Sequence, residues 1–200
     1  MTLRLSTLAL AVALAACDSA RPDNVAAAVA GNEGAPLAAE AAPTGTTAPV
    51  GAVAVNLDDE GLRLVDPATG SARPIAFGTP MATVIAALDA SFGAAPVEQS
   101  VNAECGAGPI LQARWANGFV ALSQEENFLG WDSREAGLTT ADGIGIGSTR
   151  AALEVSREVE VEETTLGVEF TAGGLGGLFA SSEPAAPITS LWAGLTCHFR

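Results

Sequence analysis

The amino-acid sequence predicts an α+β fold, with two helix-plus-antiparallel-meander units at residues 53–136 and 137–200 behind a disordered tether. Three observations carry that expectation. Residues 18–52 are mainly small and polar, with Ala, Pro, Gly, Thr, Asn and Glu prominent, no aromatic and no sustained apolar period, a composition that cannot bury enough surface to offset its ordering entropy. A helix-start pattern occurs twice: Phe77-Gly78-Thr79-Pro80-Met81-Ala82-Thr83-Val84 is matched sixty-nine positions later by Ile146-Gly147-Ser148-Thr149-Arg150-Ala151-Ala152-Leu153. Apolar residue, glycine, hydroxyl cap, two variable positions, alanine, one more and an aliphatic recur in that order, which reads as an internal repeat. After each start come short apolar runs separated by turn residues, the pattern of antiparallel strands.

Residues 1–16 carry one positive charge (Arg4) and an unbroken small-and-apolar run from Thr7 to Ala16, the anatomy of a secretory signal and too short for a spanning helix. The run ends in Leu14-Ala15-Ala16-Cys17, which resembles the lipobox of bacterial lipoproteins. That resemblance implies cleavage before Cys17, diacylation of its thiol and acylation of the new amine, so the protein meets a membrane through its lipid anchor. Segment 17–52 is then the lipidated tether, with a reach on the order of 30–35 Å. An aspartate directly after the lipidated cysteine, here Asp18, resembles an inner-membrane retention signal in some bacteria, and the choice of membrane stays open.

The globular part is expected to begin near Gly61. Gly61 to Asp66 alternates, Pro67 to Gly70 turns, and Ala72 to Phe77 returns as a hairpin. Thr79 is the expected N-cap and Pro80 the first helical residue, with Met81, Val84, Ile85, Leu88 and Phe92 at helical spacing and Gly93 as the stop. Ala94 to Gly108 reads as loop. Ile110 to Trp115, Phe119 to Leu122 and Phe128 to Trp131 form a meander through Asn117-Gly118 and the turn Gln124 to Asn127. Ser148 is expected to cap a second helix. Strands follow at Val159 and Val161, Gly167 to Phe170, Leu175 to Phe179 and Ile188 to Phe199.

A short helix opened by apolar-Gly-Thr/Ser and followed by an antiparallel meander resembles the small lipoproteins of the outer-membrane assembly machinery (the BamE/SmpA type). Its tandem form is similar to the beta-lactamase-inhibitor-protein fold. The match spans Ala72 to Arg200 and about six positions per copy; it implies an architecture and carries over no functional residue.

The formal charge of −14, with no lysine or tyrosine and nine arginines, sets nucleic-acid and anionic-headgroup binding aside. The 48% hydrophobic content overstates the core, because alanine is abundant and aromatics are only 5%. With Cys17 given to lipid, Cys105 and Cys197 form an even pair in an exported chain, where a disulfide is the expectation and a catalytic thiol the alternative. Such a bridge is worth roughly 4–5 kcal/mol by chain entropy.

Other stretches carry residue types that chemistry uses. Gly143-x-Gly145-x-Gly147-Ser148 before a helix superficially suggests a phosphate loop, but its spacing and poor preceding strand favour a turn and a cap. His198, the single histidine, has no nucleophile elbow to serve and reads as a partly exposed strand residue. Glu158, Glu160 and Glu162 alternate with valines, so a strand there puts three carboxylates on one face. That face is either a solvated one that discourages edge pairing or a surface for calcium or a basic partner. Trp115, Trp131 and Trp192 are expected to pack the sheet, with an exposed one free to anchor a partner. No cofactor or metal site is expected.

Short lipoproteins that look like this one sometimes carry the name aspartate-semialdehyde dehydrogenase. The residues do not support that enzyme, since its N-terminal glycine-rich nucleotide motif is missing, the chain is too short for its two domains, and Asn102-Ala103-Glu104-Cys105 only superficially resembles a nucleophile context.

The sequence therefore points to a non-catalytic interaction or assembly module of the cell envelope with a protein partner. The rival is a small-ligand binder or enzyme using the glutamates, Cys105 or His198, which requires those side chains to converge in a cleft.

Overall fold

Residues 53–198 are described by the computed structural model. The expected signal segment 1–16, Cys17 and the tether 17–52 lie outside them.

Twelve strands in two sheets, joined by two short helices, make a β-rich sandwich. The α+β expectation is corrected on this point. The helices are α1 (Met81–Phe92) and α2 (Arg150–Ser156), and they bury only Met81, Val84, Leu88 and Leu153 fully. Four fully buried side chains cannot form a layer, so a second sheet covers the larger one instead.

The small sheet contains β1 (Ala54–Asp58), β2 (Gly61–Val65), β3 (Ala72–Ala76) and β8 (Thr139–Thr140), in the order β3-β2-β1-β8. The expected hairpin forms as β2 and β3, and a further strand, β1, precedes Gly61. Ala54-Val55-Asn56-Leu57-Asp58 itself alternates, burying Val55 and Leu57. β8 pairs with β1 in parallel through two residues.

The large sheet contains β4 (Glu98–Asn102), β5 (Ile110–Arg114), β6 (Phe119–Gln124), β7 (Asn127–Ser133), β9 (Glu160–Thr164), β10 (Gly167–Ala172), β11 (Leu175–Phe179) and β12 (Ile188–Gly194). Its order is β4-β5-β6-β7-β12-β11-β10-β9, antiparallel throughout. The seam is β7·β12, where Asp132 faces Trp192 and Trp131 faces Ala193. β4 occupies a stretch expected to be loop. β12 stops at Gly194, short of the strand expected to reach Phe199.

One core lies between the sheets, where Trp115, Phe119, Phe128, Trp131 and Phe170 are almost fully buried against Leu57, Leu62, Val84, Leu88 and Leu153. Two indole N–H groups are satisfied there: Trp131 donates to the Asp58 carbonyl at 2.9 Å and Trp115 to the Asp89 carboxylate at 3.1 Å.

The two helix starts share their backbone geometry. Gly78 and Gly147 both have φ 91, a left-handed value that glycine adopts without strain. The Gly78 N–H donates to Phe128 O (2.7 Å) and the Gly147 N–H to Ile188 O (2.9 Å), while Phe128 and Ile188 donate back to Thr79 O and Ser148 O. The caps differ from expectation by one residue. Pro80 is the N-cap of α1, and the Thr79 hydroxyl donates to Ala76 O instead; Thr149, not Ser148, caps α2 by accepting from the Ala152 N–H.

Candidate functional site

Strand register sets which side chains share the face of the large sheet turned away from the core. Arg114, Val120, Asp132, Trp192 and Gly176 are successive cross-strand neighbours on β5, β6, β7, β12 and β11. Among the described residues, the apolar cluster on this face (Cys105, Ile110, Val120, Leu122, with Leu195 and Cys197 against it) contains no helix residue.

The segment after β12 folds back over this face. Leu195 N–H donates to Leu129 O at 2.8 Å, and its backbone lies so close over Gly130 that any Cβ there would collide with it. Cys197 then reaches Cys105 at disulfide distance, with Cα atoms 5.5 Å apart, within the range a disulfide spans. Asn102 Nδ2 lies 3.5 Å from the Cys197 sulfur.

His198 follows, and the expectation of a strand residue is corrected, because it lies in the irregular strap beyond β12. Its ring lies 4.2 Å from that of Trp192, and Nε2 is 3.6 Å from Asp132 Oδ2, beyond hydrogen-bond length and within ion-pair reach when the imidazole is protonated. Arg134 Nε donates to the other Asp132 oxygen at 3.1 Å. Trp192 lies on Gly176, where a side chain would collide with the indole. At 7% exposure Trp192 is buried, as are Trp115 and Trp131, so none is a free aromatic anchor.

Two hollows open beside His198 on this face. One of about 70 Å³ is lined by Gln112, Arg114, Asp132, Cys197 and His198, room for a few waters. Its neighbour, about 300 Å³, is lined by Arg134, Leu166, Leu178, Thr189, Trp192 and His198.

The remaining sequence candidates lie elsewhere. Glu160 and Glu162 share the outer face of β9 as the alternation predicts, Glu158 precedes the strand, and a separate shallow depression is lined by Glu160, Glu162 and Glu169. β9 stands four strands from β7 in the sheet order, on the order of 19 Å away at the usual strand spacing. The glutamates therefore do not converge with Cys105 and His198. Among the described residues no group of three or more His, Cys, Asp or Glu is placed to hold a metal. The Gly143–Gly147 stretch is a turn, in which Gly143 N–H donates to Thr140 O at 2.9 Å and Ile144 N–H to the Thr140 hydroxyl at 3.0 Å. Beside it Arg157 donates to both Asp142 oxygens (2.9 and 2.8 Å), holding that carboxyl well below the ordinary carboxylate range.

A third hollow lies on the opposite side, at the β4 end of the large sheet. It is about 550 Å³ and lined by Met81, Ala82 and Ile85 of α1, Val101, Pro109 and Leu111, with Glu125 and Glu126 at its rim. Those glutamates form the two-residue β6–β7 turn with φ 50 and 65, left-handed values that normally go to Asn and Gly. Sequence reasoning passed over this groove, because it needs β4, which has no periodic signal.

Comparisons with protein-family models, with curated proteins and with solved structures return no match for this chain. Among the described residues no helix is long and apolar enough to cross a membrane.

Proposed function

We propose that the chain is an exported lipoprotein, anchored through Cys17, whose β sandwich serves as a non-catalytic interaction or assembly module in the cell envelope. The observation that supports this most is the second face of the eight-stranded sheet, which carries no helix among the described residues. Eight strands span roughly 34 Å at the usual spacing, a platform of the width that protein–protein interfaces use. Its chemistry is mixed, with Arg114 and Arg134, the aliphatic Leu178 and the hydroxyl of Thr189 beside the Trp192–His198 pair. A polar rim around partly buried apolar groups is the composition of a non-obligate interface. The lipobox-like Leu14 to Cys17 and the tether composition support the address.

In-cell crosslinking tests the reading. A photoreactive residue at Thr189, exposed on this face, is expected to give a reproducible adduct with an envelope protein, lost when Cys17→Ser removes the anchor. No adduct from the anchored protein at any position on its surface would overturn it, and a small molecule retained by the purified chain would favour the ligand-binding rival.

A further inference from the structure

We infer that the β4 edge and the apolar groove beside it form a docking site for an extended, cationic segment of a partner protein, added as a further strand to the large sheet. The inference rests on the interaction-module reading above and names one site and one kind of partner for it.

Among the described residues the two sheets end on four edge strands, β3, β8, β4 and β9, and these are not treated alike; β8 is further bridged by Gly145. β3 carries Pro74, which offers no N–H for pairing, and β8 is two residues long. β9 carries Glu160, Glu162 and Glu163, all exposed. Each is a recognised way to discourage strand addition. β4 has none of them. Its one charged residue, Glu98, lies opposite Arg114, and Val97 and Val101 flank it with 65% and 61% exposure.

The inner side of this edge opens into the 550 Å³ groove, where Val101, Leu111, Ile85 and Met81 face unfilled space. A strand paired with β4 would send alternate side chains into that groove. The internal correspondence shows what such a place looks like when filled. At α2, the connection Ala180–Pro187 folds over the first helical turn, with the Arg150 guanidinium donating to Ser182 O at 2.8 Å and Ala151 N–H to Pro184 O at 2.9 Å. At α1 the corresponding connection is only Glu125-Glu126, so among the described residues no loop folds over that helical turn.

Charge selects the occupant. Glu125 and Glu126 stand at the rim of a chain with formal charge −14. A second copy would bring like charges together, whereas lysine or arginine flanking an aliphatic strand would meet them favourably.

The test uses the full-length chain in detergent micelles and a labelled seven-residue peptide that alternates valine and threonine with a lysine at each end. The peptide is expected to bind. At least tenfold weaker binding is expected when alternate backbone amides are N-methylated, when glutamates replace the terminal lysines, or when the protein carries Val101→Lys. That substitution is at an exposed position, and an unchanged denaturation midpoint confirms the fold. No binding of the parent peptide, equal binding of the N-methylated form, or unchanged binding by V101K overturns the inference, as does dimerisation of the chain through β4. The parent reading is separated by photocrosslinking in cells. Adducts from Thr189 with none from Val101 overturn the groove alone, and no adduct from any surface position overturns both.

Discussion

The two halves of the large sheet begin alike and finish differently. Each follows a helix entered through a glycine at φ 91, and each helix start is tied to the last strand of its half by the same pair of backbone hydrogen bonds. Beyond that they diverge. The β4–β7 half holds the aromatic centre of the core and Cys105 under the strap, and it ends in an edge whose one charged residue, Glu98, is paired with Arg114, beside an open groove. The β9–β12 half has a thin strand, where Gly176 makes room for Trp192 on one face and Gly177 for Phe170 on the other, and ends in a row of glutamates. A duplicated backbone device thus leaves edge, loop length and surface charge free to vary. Here the variation closes one half and leaves the other open.

The largest expected effect comes from the strap. In the oxidised protein, Cys197→Ser is expected to reduce stability by roughly 4–5 kcal/mol, the chain-entropy value for a closure over a sequence separation of 92. Native-state hydrogen exchange should show β5 and β6 losing protection before β10 and β11; equal loss in both halves would break the comparison. Gly176→Val strikes the other half. Its side chain collides with the Trp192 indole, and a loss of about 2–3 kcal/mol is expected with a red-shifted tryptophan emission. An unshifted spectrum would show that the ring has not been displaced.

Two smaller effects sharpen the contrast. The double change Glu125→Asn and Glu126→Gly puts the residues a left-handed turn favours where glutamates now stand, and should raise stability by about 1–2 kcal/mol in chemical denaturation. The same variant should bind the cationic peptide several-fold more weakly, so the strained turn would be serving the groove at the expense of stability. Arg157→Gln removes the bidentate partner of Asp142 and is expected to lose about 1 kcal/mol at neutral pH. Because that carboxyl is depressed in the folded state, the pair's contribution is present above its ordinary value of 3.8 and fades as pH falls from there toward the folded value. The gap between wild type and variant in urea midpoints should therefore narrow between about pH 7 and about pH 2.5.

Local patterns in the sequence identified much of this. The α1 spacing, the β5–β6 turn at Asn117-Gly118 and the alternation of Glu160 and Glu162 all have a physical period that a single chain displays. β4 escaped because Glu98-Gln99-Ser100-Val101-Asn102 is exposed on both faces, and an edge strand without a buried side has no alternation to show. The fold class is not legible locally, because β1, β2, β3 and β8 unite into a second sheet that depends on long-range pairing, most of all the parallel step from Leu57 to Thr140. Nothing local joins Asp132 to His198 either. Their meeting needs the β7·β12 seam and the fold-back at Leu195, both set by register across the whole sheet.

The place of β1 has a mechanical consequence. The chain enters the described fold along this strand, and β1 is an inner strand of its sheet, held by β2 over five residue pairs and by β8 over two. A tug delivered from the N-terminal side must strain both ladders and the core seating of Val55 and Leu57 together, where an edge strand would peel away one bond at a time. In the proposed role, tension between an anchored tether and a partner held on the large sheet would be borne by the sandwich as a whole, and a pulling experiment from the N-terminal side should give one high rupture event in place of a stepwise unzipping.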